Sequence, residues 1–377
     1  MEQRQVLDDS LFILLYGGVA MAALIACCYL LFRRGNAFAS EVTSPPRLRR
    51  WAAAFLATIA LCHLWWLLLP YYILVEHPLA GEVICMGLDC VFLFPLMMIT
   101  LLTMLQDRRR PLWIVAITML PVVVSLAICI AHPHNTLEQL KPVLLVAAYT
   151  LFALYLAFFI YMIFAVRQYG RWLRDNYADL EHKEVWQSIV LLALFILALF
   201  AYWFDDYNRT LEYLIQLIHF ILIGFLLWRV ETLQQLEGTT AQDADTVETP
   251  AEPEEVAPST LSSGIGQLLE RHCEDAQLYL QHDLSLSQLS QAIGTNHYYL
   301  SQYFAQQGLT YNAYINGLRI RHFINLYHEA VAAQRSFTAQ QLANESGFRS
   351  YSTFSAAFKQ RMGQTVTAWM RDTASLS

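Results

Sequence analysis

The first 230 residues contain seven apolar segments of 17 to 25 residues, separated by short loops that carry most of the charges. About 20 apolar residues in a helix cross the hydrocarbon core of a bilayer, where the backbone must satisfy its own hydrogen bonds. The whole chain is 56% hydrophobic and only 15% charged, whereas soluble domains have about 25% charged residues. This composition excludes an ordinary soluble enzyme, and the pattern predicts a bundle of seven transmembrane helices. The predicted spans are Leu11–Phe32, Trp51–Val75, Val83–Leu105, Leu112–Ala131, Pro142–Phe164, Ser188–Phe204 and Leu211–Trp228.

The loop charges predict the orientation of this bundle. Thirteen Lys and Arg residues follow the first, third, fifth and seventh predicted spans, and only Arg4, Lys141 and Arg209 lie on the opposite side. Cytoplasmic loops of membrane proteins are enriched in Lys and Arg. We therefore expect the N-terminus outside and the C-terminus in the cytoplasm.

A few polar residues fall within the predicted spans, where they are costly and often functional. Asp89 and His219 lie at similar depths, roughly 10–12 Å below the outer end at 1.5 Å per residue. His63 lies midway along the second span, and Glu82 shares a face of the third span with Asp89. These four residues are candidates for binding an unknown ligand. The alternative, which stays open, is that they hydrogen-bond between helices and fix their packing.

An acidic linker is predicted over residues 231–263, between a membrane region at 1–230 and a soluble region at 264–377. Eight acidic residues and no basic one occur there, and Pro250, Pro253 and Pro258 interrupt any helix. Such composition buries too little apolar surface to order the chain. We expect a disordered tether with a reach of about 25–30 Å.

Two helix–turn–helix units are predicted in the soluble region, 53 residues apart and joined by a long helix from about Tyr311 to Ala333. In the first, Ser285 begins a capping box and Gly294 makes the turn; in the second, Thr338 caps a helix and Gly347 makes the turn. Each first helix has a small residue four positions before its glycine, which permits the close crossing of two helices. These small residues are Ser290 and Ala343.

The second unit reads Gly347-Phe-Arg-Ser-Tyr-Ser-Thr-Phe354-Ser-Ala-Ala-Phe358-Lys359-Gln-Arg-Met-Gly363-Gln-Thr365-Val-Thr-Ala-Trp369-Met-Arg371. Together with Leu300, Phe304, Gly308, Tyr314 and Arg319 of the first half, it resembles the DNA-binding domain of the AraC/XylS family of bacterial transcription regulators. The resemblance covers about 110 residues. Val366 replaces the usual proline, and Ala356 stands where many members have an arginine. The resemblance implies double-stranded DNA and RNA polymerase as partners, and a bacterial inner-membrane location with the domain in the cytoplasm.

The second helix of each unit, the recognition helix, is expected to enter the major groove. Gln302 can hold an adenine edge through two hydrogen bonds, and basic residues such as Lys359 can contact phosphates. Leu300, Phe304, Phe354 and Phe358 are predicted core. The predicted DNA-contacting residues are Asn296, His297, Tyr298, Ser301 and Gln302 in the first unit, and Arg349, Ser350, Tyr351, Ser352, Ser355 and Lys359 in the second.

Residues 264–377 carry a net charge of only +1, so one copy is expected to bind DNA weakly, and a homodimer is an expected partner. The sequence thus predicts an all-α membrane-embedded regulator that senses a signal through its spans and binds DNA with its C-terminal domain. No catalytic, cofactor or metal motif was found, so an enzyme is not expected. The alternative is a transport or enzymatic membrane module with an auxiliary DNA-binding domain. Loss of Asp89 and His219 would separate the two, by altered promoter response or by lost flux.

Overall fold

The computed structural model describes residues 2–33, 35–73, 76, 78–131, 137–203, 209–236 and 258–374. The chain divides into two compact units. The first contains residues 1–169 and 182–241, and the second contains residues 170–181 and 242–377. The described residues form helices, with one isolated β-bridge between Tyr177 and Ser285, so the predicted all-α class is confirmed for them.

Eight helices are described from the N-terminus to Thr232, and α2 continues as one π-helical turn over Leu69–Ile73. They are α1 (Glu2–Phe32), α2 (Pro46–Leu68), α3 (Pro78–Met104), α4 (Trp113–Thr118), α5 (Leu120–Ala131), α6 (Leu137–Asn176), α7 (Gln187–Trp203) and α8 (Arg209–Thr232). Helix α1 packs against α2 and α8, α2 against α3, α3 against α5, and α7 against α8. Ala23 on α1 and Ala52 on α2 are fully buried, and small residues of this kind permit close packing of membrane helices.

Among the described residues, five helices are long and apolar enough to cross a membrane, not the seven predicted. These are Ser10–Phe32, Pro46–Leu68, Gly81–Met104, Lys141–Asn176 and Arg209–Thr232. The other two predicted spans are shorter apolar helices, Trp113–Ile128 and Gln187–Ala198. The first of these is broken between α4 and α5 at Met119, because Pro121 has no N–H to continue the α-helical ladder. The chain is a multi-pass membrane protein by this criterion.

The predicted linker at 231–263 lies mostly in residues 237–257, outside the described residues. At its start, Glu231 and Thr232 complete α8. At its end, helix α9 begins at Pro258.

The second unit is built on one long helix that serves two small helical subdomains. Its helices are α9 (Pro258–Leu269), α10 (Leu286–Ala292), α11 (His297–Gln306), α12 (Tyr311–Ala332), α13 (Ala339–Glu345), α14 (Tyr351–Met362) and α15 (Val366–Ala374). Leu318 of α12 packs in the core of the first subdomain and Ile320 in that of the second. Helix α9 ends at Leu269, and the chain then passes through a π-helical turn over Glu270–Asp275 and a short 3₁₀ turn over Leu278–Leu280.

Local chemistry places both helix–turn–helix units as predicted. Ser285 and Gln288 form the reciprocal capping box of α10, with hydrogen bonds of 2.9 and 3.2 Å. Gly294 has φ +70°, a conformation in which glycine has no Cβ penalty. Gly347 has φ +92°, and a Cβ there would lie 2.8 Å from Leu280 Cα, so no larger residue fits. The predicted small residues Ser290 and Ala343 are both buried.

Candidate nucleic-acid interface and intramembrane polar clusters

The first recognition helix, α11, exposes part of its predicted DNA-contacting set. Tyr298 is 66% exposed and Gln302 is also exposed. Asn296 caps the helix, since its Oδ1 accepts a 2.9 Å hydrogen bond from Tyr298 N. His297 and Ser301 are half-buried. They lie on a flank of the helix that residues 170–181 also contact. Of the predicted contact residues within α11, Tyr298 and Gln302 are therefore the exposed ones.

The second recognition helix, α14, begins at a serine cap. Ser350 Oγ accepts a 3.3 Å hydrogen bond from Thr353 N, so this predicted contact residue also fixes the helix start. Ser352 and Lys359 are exposed, and Ser355 is half-buried. Tyr351 is half-buried and packs on Phe354 with ring centroids 5.8 Å apart.

Arg349 precedes α14 and forms an ion pair with Asp283, Nη1 to Oδ2 at 3.2 Å. DNA phosphate would have to compete with this carboxylate for the guanidinium. The pair is partly exposed, with side-chain exposures of 24% and 46%, so it is a weak contact that an anion can replace.

Both recognition helices are held by a buried aromatic and aliphatic core. Leu300, Phe304, Phe354 and Phe358 are at most 3% exposed, which confirms their prediction as core residues. Their burial fixes the rotation of each helix about its axis, and this rotation keeps Gln302 and Lys359 at the surface.

Residues 170–181 were not predicted to belong to the DNA-binding region. They comprise the end of α6 and the following loop, and they pack in the second unit. Ala178 is fully buried in the core cluster of the first helix–turn–helix subdomain. The available sequence signal was two pairs of apolar residues, Trp172 with Leu173 and Tyr177 with Ala178, in a charged loop.

In the membrane unit, Asp89 links α3 to α2. Its Oδ1 accepts a 3.0 Å hydrogen bond from Trp65 Nε1, and its Oδ2 accepts a 2.7 Å bond from Trp66 Nε1. Cys85, one turn earlier on α3, is fully buried and donates to the Trp65 carbonyl at 3.4 Å. Glu82 lies on the same helix and is half-buried. Sequence reasoning missed the two indoles, although the Trp-Trp pair was visible.

The two candidate histidines, His63 and His219, lie next to each other, and neither takes part in the hydrogen bonds of Asp89 given above. The rings of His63 on α2 and His219 on α8 have centroids 5.8 Å apart. His63 Nε2 lies 2.9 Å from Gln216 Oε1, and Tyr16 on α1 donates to the His63 carbonyl at 2.8 Å. His219 Nδ1 is buried and has no hydrogen-bond partner among the described residues. The cluster joins three helices, and Tyr16 and Gln216 were not predicted.

Another polar cluster, which was not predicted, lies where α8 ends. Glu231 is fully buried, and its Oε1 lies 2.5 Å from Arg49 Nη1. Its Oε2 accepts 3.0 Å hydrogen bonds from Tyr29 OH and Ala37 N. Glu231 was counted with the acidic linker, but its carboxylate connects α8 to α1, α2 and the loop between them.

A family model described as a helix-turn-helix domain matches residues 289–372. The match is of the AraC type and covers both recognition helices, which confirms the family resemblance for this part of the chain. Searches of curated proteins and of solved structures gave no match. The C-terminal region is therefore an AraC-type DNA-binding domain, and the region before it contains apolar membrane helices.

Proposed function

We propose that this protein is a membrane-embedded one-component transcription regulator, which receives a signal in its helical bundle and binds DNA with its C-terminal domain. The observation that carries the proposal is the pair of recognition helices, α11 and α14, on one long helix within an AraC-type match. Each exposes polar residues, Gln302 on α11 and Ser352 and Lys359 on α14. Side chains of these types make hydrogen bonds to base edges and charge contacts to phosphates.

We further propose that α7 crosses the membrane. Residues 170–181 and residues 258–374 pack in one unit, so they lie on the same side of the bilayer. Only α7 and α8 lie between these stretches among the described helices, and α8 is long enough to cross. An even number of crossings is needed, so α7 crosses too. Its 17 residues extend about 25 Å, close to the thickness that a bilayer core requires.

The loop charges support a crossing by α4 and α5 together. Without it, Arg167, Arg171 and Arg174 would lie on the opposite side from the arginines after α1 and α3. The positive-inside rule disfavours that arrangement. Residues 113–131 extend about 28 Å even with the break at Met119. Seven crossings place the N-terminus outside and the DNA-binding domain in the cytoplasm.

For signal reception, we favour the cluster of His63, Gln216 and His219 as the ligand site. It contains two of the four predicted ligand residues, His63 and His219. The Asp89 carboxylate already accepts two indole hydrogen bonds, which supports a packing role. The buried Nδ1 of His219 offers a hydrogen-bonding atom that a ligand with a polar group can satisfy.

Chromatin immunoprecipitation with sequencing on the intact protein tests DNA binding. We expect discrete enriched sites for the wild type, and their loss in a double variant Gln302→Ala, Lys359→Ala. Gln267→Ala, at an exposed position of α9, is the matched control and should keep the sites. Absence of enriched sites for the wild type under all growth conditions tried, with normal protein levels, would refute the proposal. A transport or enzymatic role would then be the better explanation.

A further inference from the structure

Residues 170–181 lie against the first recognition helix, and we propose that they compete with DNA for it. This segment would hold the DNA-binding domain in an inhibited state until it is released. The inference rests on the proposed function, because it assumes that α11 enters the major groove. It assigns a regulatory role to a segment that lies outside the AraC-type match at 289–372.

The segment is anchored in the domain by backbone and side-chain contacts. Ala178 N donates to the Leu284 carbonyl at 3.3 Å, and the Ala178 side chain is fully buried. Asn312, near the start of α12, donates through Nδ2 to the Ala178 carbonyl at 2.6 Å and to the Tyr177 carbonyl at 3.3 Å. One asparagine amide therefore holds two successive carbonyls of the segment.

The last residues of α6, Asp175 and Asn176, lie against one flank of α11. His297 Nε2 lies 3.0 Å from Asn176 Oδ1. One and two turns further along α11, Ser301 and Ala305 line a small cleft together with Asp175. His297, Ser301 and Ala305 follow one another at i, i+4 spacing, so they form one flank of the helix. Two of the predicted DNA-contacting residues, His297 and Ser301, are on this flank.

The dimensions of DNA make this position incompatible with insertion of α11. The major groove is about 12 Å wide, and one helix with its side chains is about 10–12 Å across. A groove that holds α11 has no room for the end of α6 against its flank. DNA and the segment therefore exclude each other at the first recognition helix.

The segment also reaches the second subdomain. Thr353 of α14 lies 3.5 Å from Glu181, Oγ1 to Oε2. Asp179 is buried, and its Oδ1 accepts a 3.0 Å hydrogen bond from Glu181 N, which shapes this end of the loop. The carboxylate of Glu181 lies near the start of a recognition helix, where it would repel a DNA phosphate. Both recognition helices are thus contacted by one segment.

Competition has a measurable consequence. If the DNA-binding state is a minor population, the apparent affinity falls by the fraction in that state. A population of one in ten gives about a tenfold weaker apparent binding. The segment is continuous with α6, which begins at Leu137, so a change in α6 would alter the released fraction.

Asn312→Asp is the test variant, since it keeps the shape and the Oδ1 acceptor for Asn316 but turns the two carbonyl contacts repulsive. Asn325→Asp, exposed on the same helix, is the control with the same charge change. Full-length proteins in lipid nanodiscs are titrated with a duplex enriched from a random-sequence pool by the wild-type protein. We expect Asn312→Asp to bind about five- to tenfold tighter, despite its added negative charge, and Asn325→Asp to bind no tighter than the wild type.

Hydrogen exchange of the unmodified protein gives a second readout, which does not depend on any substitution. Saturating duplex should speed amide exchange of residues 177–181, including Ala178, while α12 stays protected. Unchanged or slower exchange there, or weaker binding by Asn312→Asp with wild-type exchange elsewhere, would overturn the inhibition. If DNA bound normally in those cases, the proposed function would survive. If the wild-type protein enriched no sequence and neither variant bound DNA, both proposals would fail.

Discussion

Arg319 Nη2 donates a 2.7 Å hydrogen bond to the Gln281 carbonyl, which ties the long helix α12 to the chain entering the first helix–turn–helix unit. The same guanidinium bonds the Tyr279 carbonyl at 2.8 Å and the His282 carbonyl at 3.1 Å. Its carbon lies 5.6 Å from the ring centroid of Phe348, beside the turn of the second unit. Burial lowers the pKa of Arg319, and the nearby acidic side chains of Tyr311, Asp179 and Asp283 partly offset that effect. One side chain thus links the chain that enters the first helix–turn–helix unit to the turn of the second.

Arg319→Lys should destabilise the DNA-binding domain, because an ammonium cannot reproduce the planar fork that reaches several carbonyls. Arg319→Ala should cost more, about 2–4 kcal/mol, since it leaves buried carbonyl oxygens without donors. Urea unfolding in detergent, followed by a probe in the second unit, measures the difference. Equal stability of Arg319→Ala and the wild type would contradict the role assigned to this residue.

Cys273 supplies that probe. It is fully buried, and burial raises the pKa of its thiol to about 12. At pH 8 only about one thiol in ten thousand would be ionised, and the thiolate is the reactive form. We expect maleimide to label Cys273 only after urea unfolds the domain, with mass spectrometry locating the label. Rapid labelling of the native protein would show that this core opens locally.

Glu231→Ala should lower the melting temperature markedly, because it leaves the Arg49 guanidinium without its buried partner; breaking such pairs costs about 3–5 kcal/mol. Glu212→Ala is the matched control: its 2.8 Å pair with Arg209 is more exposed, at 26% and 43%, and such pairs contribute about 0–1 kcal/mol. Tryptophan fluorescence of the detergent-solubilised protein reports both. A similar small shift for the two variants would show that the Arg49–Glu231 contact does not stabilise the bundle.

Gln302→Ala should cost about 1–3 kcal/mol in DNA binding and relax preference at one base pair. Lys359→Ala should weaken all sequences alike and reduce the slope of affinity against salt by about one. Titrations at several salt concentrations, with selected and scrambled duplexes, separate the two effects. A change of base preference alone in Lys359→Ala would reverse the assigned roles.

Reporter fusions decide the number of crossings. Seven crossings place residues 135 and 208 outside and residues 109, 180 and 238 inside. If only the five long helices crossed, residue 135 would be inside and residue 180 outside. An outside signal at residue 180 would therefore contradict both a crossing α7 and the packing of 170–181 with the DNA-binding domain.

Local features were predictable where local chemistry decides the outcome. The turn glycines 294 and 347, the capping box at Ser285 and the core phenylalanines 354 and 358 follow from residues a few positions apart, and the structure confirms them. The DNA-contacting set remains a prediction, since contacts within the domain, such as Arg349 with Asp283, do not test it. Helix length was less predictable: residues 112–131 are apolar throughout, yet Pro121 divides them.

The sequence by itself determined the all-α class, the apolar membrane helices and the double helix–turn–helix, because each is recorded in hydrophobic period and capping chemistry over short distances. Only the tertiary structure revealed the partners of the polar residues. Glu231 pairs with Arg49 across 182 residues, and Asn312 holds the carbonyls of Tyr177 and Ala178 from 134 residues away or more. Such contacts depend on which helices become neighbours when the chain packs. The residues around a hydrogen-bonding side chain in the sequence do not indicate which distant residue will be its partner.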